Sequence, residues 1–228
     1  MKHLNIRKRL SFRLALLLCM SLTVTAFATE EHIVSDAEIA TVIADINEEY
    51  GTNIHILSDE ELDLLGLPAS GSLHMTATEL TQLEDTLRYI AETQIPQFKK
   101  TTQEANTVIA SIENNLSPAA LSDELRSTDE PITATKEIDY ATAGAVAYTS
   151  KTLLGKTIWG EIQHGFCVTN TQQATWFNAT NPTVTRTDSN RTLYWVGTGS
   201  YYSNINGTQY YLYSGTQYAS MPIDDYVK

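Results

Sequence analysis

Few residues in this chain have the type and spacing that chemistry demands. Cys167 and His164 are the only thiol and imidazole in the C-terminal half, and a thiol nucleophile needs its imidazole within hydrogen-bond reach. The residues around them alternate like a strand, which would place positions three apart on opposite faces, about 10 Å from each other. A working pair would require a bend at His164-Gly165. Without one, the two read as a small apolar cysteine and a half-buried histidine.

Metal chemistry has even less to build on. His32, His55 and His74 are far apart, with no H-E-x-x-H and no paired cysteines, so no zinc site is expected. Asp59, Glu61 and Asp63 alternate as calcium ligands can. Leu62, Leu64 and Leu65 interrupt them, however, and no glycine stands where a calcium loop must turn. They read instead as acids favoured near a helix N-terminus. A glycosidase needs two carboxylates across a cleft, and nothing selects a pair among Glu137, Asp139, Glu161, Asp188, Asp224 and Asp225. There is no G-x-S-x-G and no glycine-rich phosphate loop, so neither metal nor cofactor is implied.

The remaining candidates are aromatic. Trp159 lies on the polar parity of its segment, opposite Ile158 and Ile162, and Tyr211 and Tyr213 lie opposite Tyr210 and Leu212. Side by side on the outer face of a sheet, Trp159, Tyr211 and Tyr213 would form a ligand-binding surface. Such rings offer rigid apolar area with polar tips, suited to sugars or to a protein partner.

The elements that must carry these residues divide the chain in two. Residues 29–126 form an acidic, mostly helical region, 127–136 a linker, and 137–228 an aromatic-rich β domain. From 29 to 136 the chain has 21 acids and five bases; from 137 onward it has six and five. All three Trp and ten of the 12 Tyr lie beyond residue 136. Ser35-Asp36-Ala37-Glu38 reads as a capping box, Ile39, Val42, Ile43 and Ile46 follow at helical spacing, and Gly51 closes the helix. Residues 53–57 suggest a short strand, and Ser58 caps a short helix that ends before Gly66.

A longer element starts at Thr76 or Thr78, with one apolar stripe at Leu80, Leu83, Leu87 and Ile90 and another at Ala105, Ile109, Ile112 and Leu116. Pro96 between them either kinks one helix or divides two. A continuous helix of about 38 residues would span roughly 57 Å and could act as a stalk. Ser117-Pro118 opens a last short helix.

Beyond the linker, strands are expected around 158–168, 175–179, 183–187, 193–202 and 208–213, with another in 137–149. Asn206-Gly207 makes a hairpin turn. The fold class is therefore α+β, an acidic helical region followed by a small antiparallel β-sandwich or barrel of six or seven strands.

Residues 1–28 read as an address. Lys2, Arg7, Lys8, Arg9 and Arg13 precede an apolar run over 14–24 and the small-x-small site Ala26-Phe27-Ala28. That run is about 11 residues, where a membrane span needs about 20. Removing the segment takes away five bases and no acid, so the net charge falls from −12 to −17. Such a charge argues against nucleic acid and against anionic membranes as partners. Only Cys167 remains, so the exported chain has no internal disulfide, which fits a bacterium better than a eukaryotic secretory route.

The resulting expectation is a secreted, non-enzymatic protein that binds cell-wall glycan or another extracellular protein. The alternative is a secreted hydrolase with a cryptic site near His164. After expression in a secreting host, the mass of the exported protein should correspond to a start at Thr29.

Overall fold

A computed structural model describes residues 33–69, 73–115 and 130–227. The leader and the short helix expected after Ser117 lie outside these. Three helix starts are set locally in the same way. Ser35 caps α1 (Asp36–Tyr50), Ser58 caps α2 (Asp59–Leu64) and Thr76 caps α3 (Ala77–Tyr89). In each, the hydroxyl accepts the third helical amide while Glu38, Glu61 or Glu79 reaches back to the cap. Gly51 ends α1 in the left-handed conformation at φ 60°.

Pro96 neither breaks the chain nor opens a hairpin. One π turn, Ile90–Gln94, joins α3 directly to α4 (Ile95–Asn115), with the Ile95 amide donating to the Ile90 carbonyl. A proline ring crowds the carbonyl four residues back, and a widened turn gives it room. The same turn places Ile95 one turn beyond Ile90, so the apolar stripe runs on through Ile95, Phe98 and Ala105.

The helix is not a stalk. Phe98 stacks on Tyr201 with centroids 4.0 Å apart and rings 7° from parallel, and the Thr216 amide donates to Thr102 Oγ1 at 3.1 Å. A methyl group on Gly215 would run into that Thr102 hydroxyl, so the helix lies directly on the strand backbone.

Among the described residues eight antiparallel strands form two sheets. One has the order β1-β8-β7-β5, with β1 at His55–Ile56, β5 at Thr175–Ala179, β7 at Thr192–Ile205 and β8 at Thr208–Pro222. A further strand, β6 (Thr183–Thr187), pairs with the first part of β7, and β5 pairs with the last part. The other sheet has the order β2-β3-β4, at Ile132–Ile138, Ala141–Lys151 and Thr157–Thr169. The two sheets pack together without closing into a barrel. The Asn206-Gly207 turn joins β7 and β8 with φ 52° and 86°, as a two-residue hairpin needs. Strand β2 begins at Ile132, inside the span read as linker, because its alternating Thr and Ala pair in full with β3.

The sheets approach closely where β2 and β3 present small side chains to large ones of the other sheet. Ala134, Ala143, Ala145 and Ala147 are fully buried in one sheet; Phe177, Leu193, Trp195 and Tyr201 fill the core from the other. Trp195 Nε1 donates across to the Phe166 carbonyl at 2.9 Å. This core is continuous with the helical one, which contributes Ile39, Ile43, Leu83, Leu87, Ile95 and Phe98.

A shared core predicts shared unfolding. Phe98→Ala should lower stability by about 3–5 kcal/mol, the usual cost of such a cavity. In urea, helical circular dichroism and tyrosine fluorescence should still be lost in one coincident transition.

Candidate functional site

The loop between α1 and β1 is held by a single side chain. Asn47 Oδ1 accepts from the Ile54 amide at 2.7 Å and from Thr52 Oγ1 at 2.8 Å, while Nδ2 donates to the Ile54 carbonyl at 2.8 Å. Its backbone carbonyl accepts from the amides of Gly51 and Thr52. Residues 51–54 therefore leave the helix on a fixed path and run to the edge of β8.

There β8 carries a bulge. Tyr211 pairs with Tyr202 and Tyr213 with Tyr201, so Leu212 is the extra residue. Tyr211 and Tyr213 thus oppose consecutive residues of β7 and project to opposite faces of the sheet. Tyr211 joins a row of rings across four strands. Trp176 stacks on Tyr202 at 4.4 Å, Tyr202 meets Tyr211 edge-on at 6.1 Å, and Tyr211 stacks on His55 at 4.7 Å. Tyr213 lies toward the helix side, 6.3 Å from Tyr201.

Pairing with β1 ends at Tyr211, and past it the edge of β8 borders a cleft of about 310 Å³. Tyr211, Leu212, Tyr213 and Ser214 form one side; Thr52, Asn53, Ile95 and Lys99 are among the residues opposite. The Tyr211 hydroxyl donates to Ser214 Oγ at 3.0 Å. Lys99 has no carboxylate partner among the described residues, whereas Arg88 is paired with Glu49 and Glu84, and Lys100 with Glu104. The cleft therefore offers two half-buried phenol rings, an amide, a hydroxyl and an ammonium. A larger hollow of about 600 Å³ shares Asn53 with it, but its walls are mostly aliphatic residues of α1 and β1.

Trp159 does not belong to this surface. It is 0 % exposed, its Nε1 donates to the Met221 carbonyl at 3.2 Å, and its ring packs near Tyr226. Met221 lies ten residues along β8 from Tyr211, about 33 Å at strand rise. The expected three-ring surface fails because the face of β4 that carries Cys167 and Trp159 is the inward one: these stand opposite buried Ala143 and Thr149, while Val168 is 52 % exposed. Two register shifts between Val146 and Thr149 each add a residue to β4 and reverse its inward face, so Ile162 faces inward between them and Trp159 returns to the parity of Cys167.

His164 and Cys167 stay apart. Pairing with β3 runs unbroken from His164 to Thr169, so no bend occurs at Gly165. His164 is exposed beside Phe166, and Cys167 turns inward opposite Ala143. Burial pushes the Cys167 thiol up, with a weaker opposing effect from the Ala179 backbone. Among the candidate calcium ligands, Glu61 is engaged in its capping box. Its carboxyl is held below the usual range, chiefly by the Ser58 amide, with His55 Nε2 3.2 Å from the other oxygen. Among the described residues no three His, Cys, Asp or Glu side chains converge as metal ligands.

Asn53, Lys99 and Ser214 were not legible as site residues. The Gly51 helix stop marked a loop, but only the docked helix brings Lys99 to it. Comparison with family models, curated proteins and solved structures finds no match.

A raised thiol pKa has a definite sign. The reactive thiolate stays scarce at pH 8 and grows only above the range of a free cysteine. Alkylation of Cys167 in the folded protein should be slower than in urea at pH 8, the difference narrowing as pH rises. Equal rates would mean that the thiol is neither buried nor perturbed.

Proposed function

We propose that this is an exported, non-enzymatic binding protein of the extracellular space or cell surface, and that it contacts its ligand through the Tyr211–Tyr213 cleft. The observation that carries this reading is that half-buried Tyr211 and Tyr213, on the two faces of the β8 edge, border one cleft together with Asn53, Ser214 and Lys99. Aromatic rings present rigid apolar area with little entropy to lose, and nearby amide, hydroxyl and ammonium groups give direction to hydroxyl-rich ligands. That combination suits cell-wall glycan better than a flat protein face, the other partner class. Export rests on the basic, apolar, small-residue order of residues 1–28. Among the described residues no helix is long and apolar enough to cross a membrane.

The test is retention of exported protein on insoluble cell wall, together with a glycan array. Tyr211→Ala with Tyr213→Ala should weaken retention at least tenfold, as expected when rings worth about 2 kcal/mol are lost. Lys99→Gln should lower it further at low salt. Trp159→Phe should leave it unchanged, since Trp159 faces the core. Absence of retention on both supports, or retention indifferent to the tyrosine pair, would refute the reading.

A further inference from the structure

The β3–β4 hairpin ends in the sequence Lys151-Thr152-Leu153-Leu154-Gly155-Lys156. Leu153 and Leu154 are 69 % and 87 % exposed, adjacent in the chain and at the tip of the turn. The other large exposed apolar residues, such as Ile33, Leu64 and Val168, stand singly. Isolated exposed leucines are ordinary; a consecutive pair on a projecting tip is not.

The tip is held in shape. The Thr152 amide donates to the Lys156 carbonyl and the Gly155 amide to the Thr152 carbonyl, both at 2.9 Å. Thr152 Oγ1 accepts from the Lys156 amide at 3.1 Å, and Gly155 takes a φ of 77°. The leucines are thus presented by a closed turn and cannot fold back freely onto the sheet.

Charge around the tip opposes that of the molecule. No Asp or Glu occurs between Asp139 and Glu161, and both lysines flanking the leucines are exposed. Lys151 Nζ donates to Thr157 Oγ1, across the base of the hairpin, and not to a carboxylate. At physiological salt, charges farther than about 8 Å are largely screened, so a surface meeting the tip would feel the two lysines first and, behind them at the base of the hairpin, Arg186 near the Trp159 carbonyl and the paired Arg191 and Asp224.

We propose that this hairpin is a peripheral docking point for an anionic lipid surface. Leu153 and Leu154 enter the boundary of the acyl chains, while Lys151 and Lys156 lie among the headgroups. Amphipathic order favours a bilayer over a protein partner: the two apolar side chains lead, and cations follow on both sides at headgroup level. Burying a leucine side chain is worth roughly a tenfold or larger change in partition, so two leucines with two lysines give reversible attachment, not a permanent anchor. The inference does not depend on the tyrosine cleft.

The test is co-sedimentation of the exported protein, its N-terminus verified, with vesicles of phosphatidylglycerol and phosphatidylcholine, and with phosphatidylcholine alone. Retention on the anionic vesicles is expected. It should fall at least tenfold in Leu153→Ser/Leu154→Ser and severalfold in Lys151→Glu/Lys156→Glu. The tip is exposed, so unchanged thermal midpoints are expected and would confirm that the variants fold. Leu154→Trp should shift its added emission to the blue when anionic vesicles are introduced, a vesicle-dependent change not expected of the parent, whose three tryptophans are already buried. No retention on anionic vesicles would overturn the proposal, as would retention that the leucine variant leaves unchanged. Capture of a protein through the same leucines, without vesicle retention, would also overturn it.

Discussion

The architecture depends on Phe98 lying face to face with Tyr201. That contact seats the long helix on the β7–β8 ribbon, with Tyr140 closing the edge at 5.5 Å and Phe177 adjoining Tyr201 at 4.8 Å. Aromatic pairing of this kind adds about 0.5–1.5 kcal/mol beyond the area it buries. Its greater consequence is geometric. Phe98 reaches Tyr201 because the π turn carries the apolar stripe past Pro96 without losing phase. Once Phe98 is seated, Thr102 meets the backbone of β8, and Ile95 and Lys99 become a wall of the cleft. A plain α-helical turn there would rotate all that follows by about 100° and turn this face away from the sheet.

The β-strands carry a second constraint, which is local irregularity. Ala134, Ala143, Ala145 and Ala147 leave the depth that Trp195 and Tyr201 fill, and that complementarity needs an exact inward parity. Bulges in β4 and β8 interrupt that parity locally. The bulge at Leu212 separates the two tyrosines of the cleft onto different faces. The two in β4 offset each other, so Trp159 faces the core as Cys167 does, and its indole nitrogen finds the Met221 carbonyl.

Charge shows the same contrast between average and local character. The chain is strongly acidic as a whole, and most acids lie on the helices. Several are used within their own elements, as cap partners at Glu38, Glu61 and Glu79 or as ion-pair partners of Arg88. Lys99 at the cleft and the two lysines of the β3–β4 tip stand apart from this pattern. Screening makes such local departures matter more at contact distance than the net charge does.

The sequence by itself determined the elements whose causes lie within a few residues. Ser35, Ser58 and Thr76, each with a glutamate three residues on, marked helix starts; Gly51 marked a stop; Asn206-Gly207 marked a hairpin. The α+β class followed, because periodicity and turn chemistry are local properties. Tertiary structure alone decided the burial of Trp159, the divergence of Tyr211 from Tyr213, and the arrival of Lys99 beside Asn53. A bulge is chosen by how two sheets pack, and no pattern within one strand announces it. The five-residue step from Ile90 to Ile95 lay in the sequence, but its meaning required a sheet for Phe98 to meet.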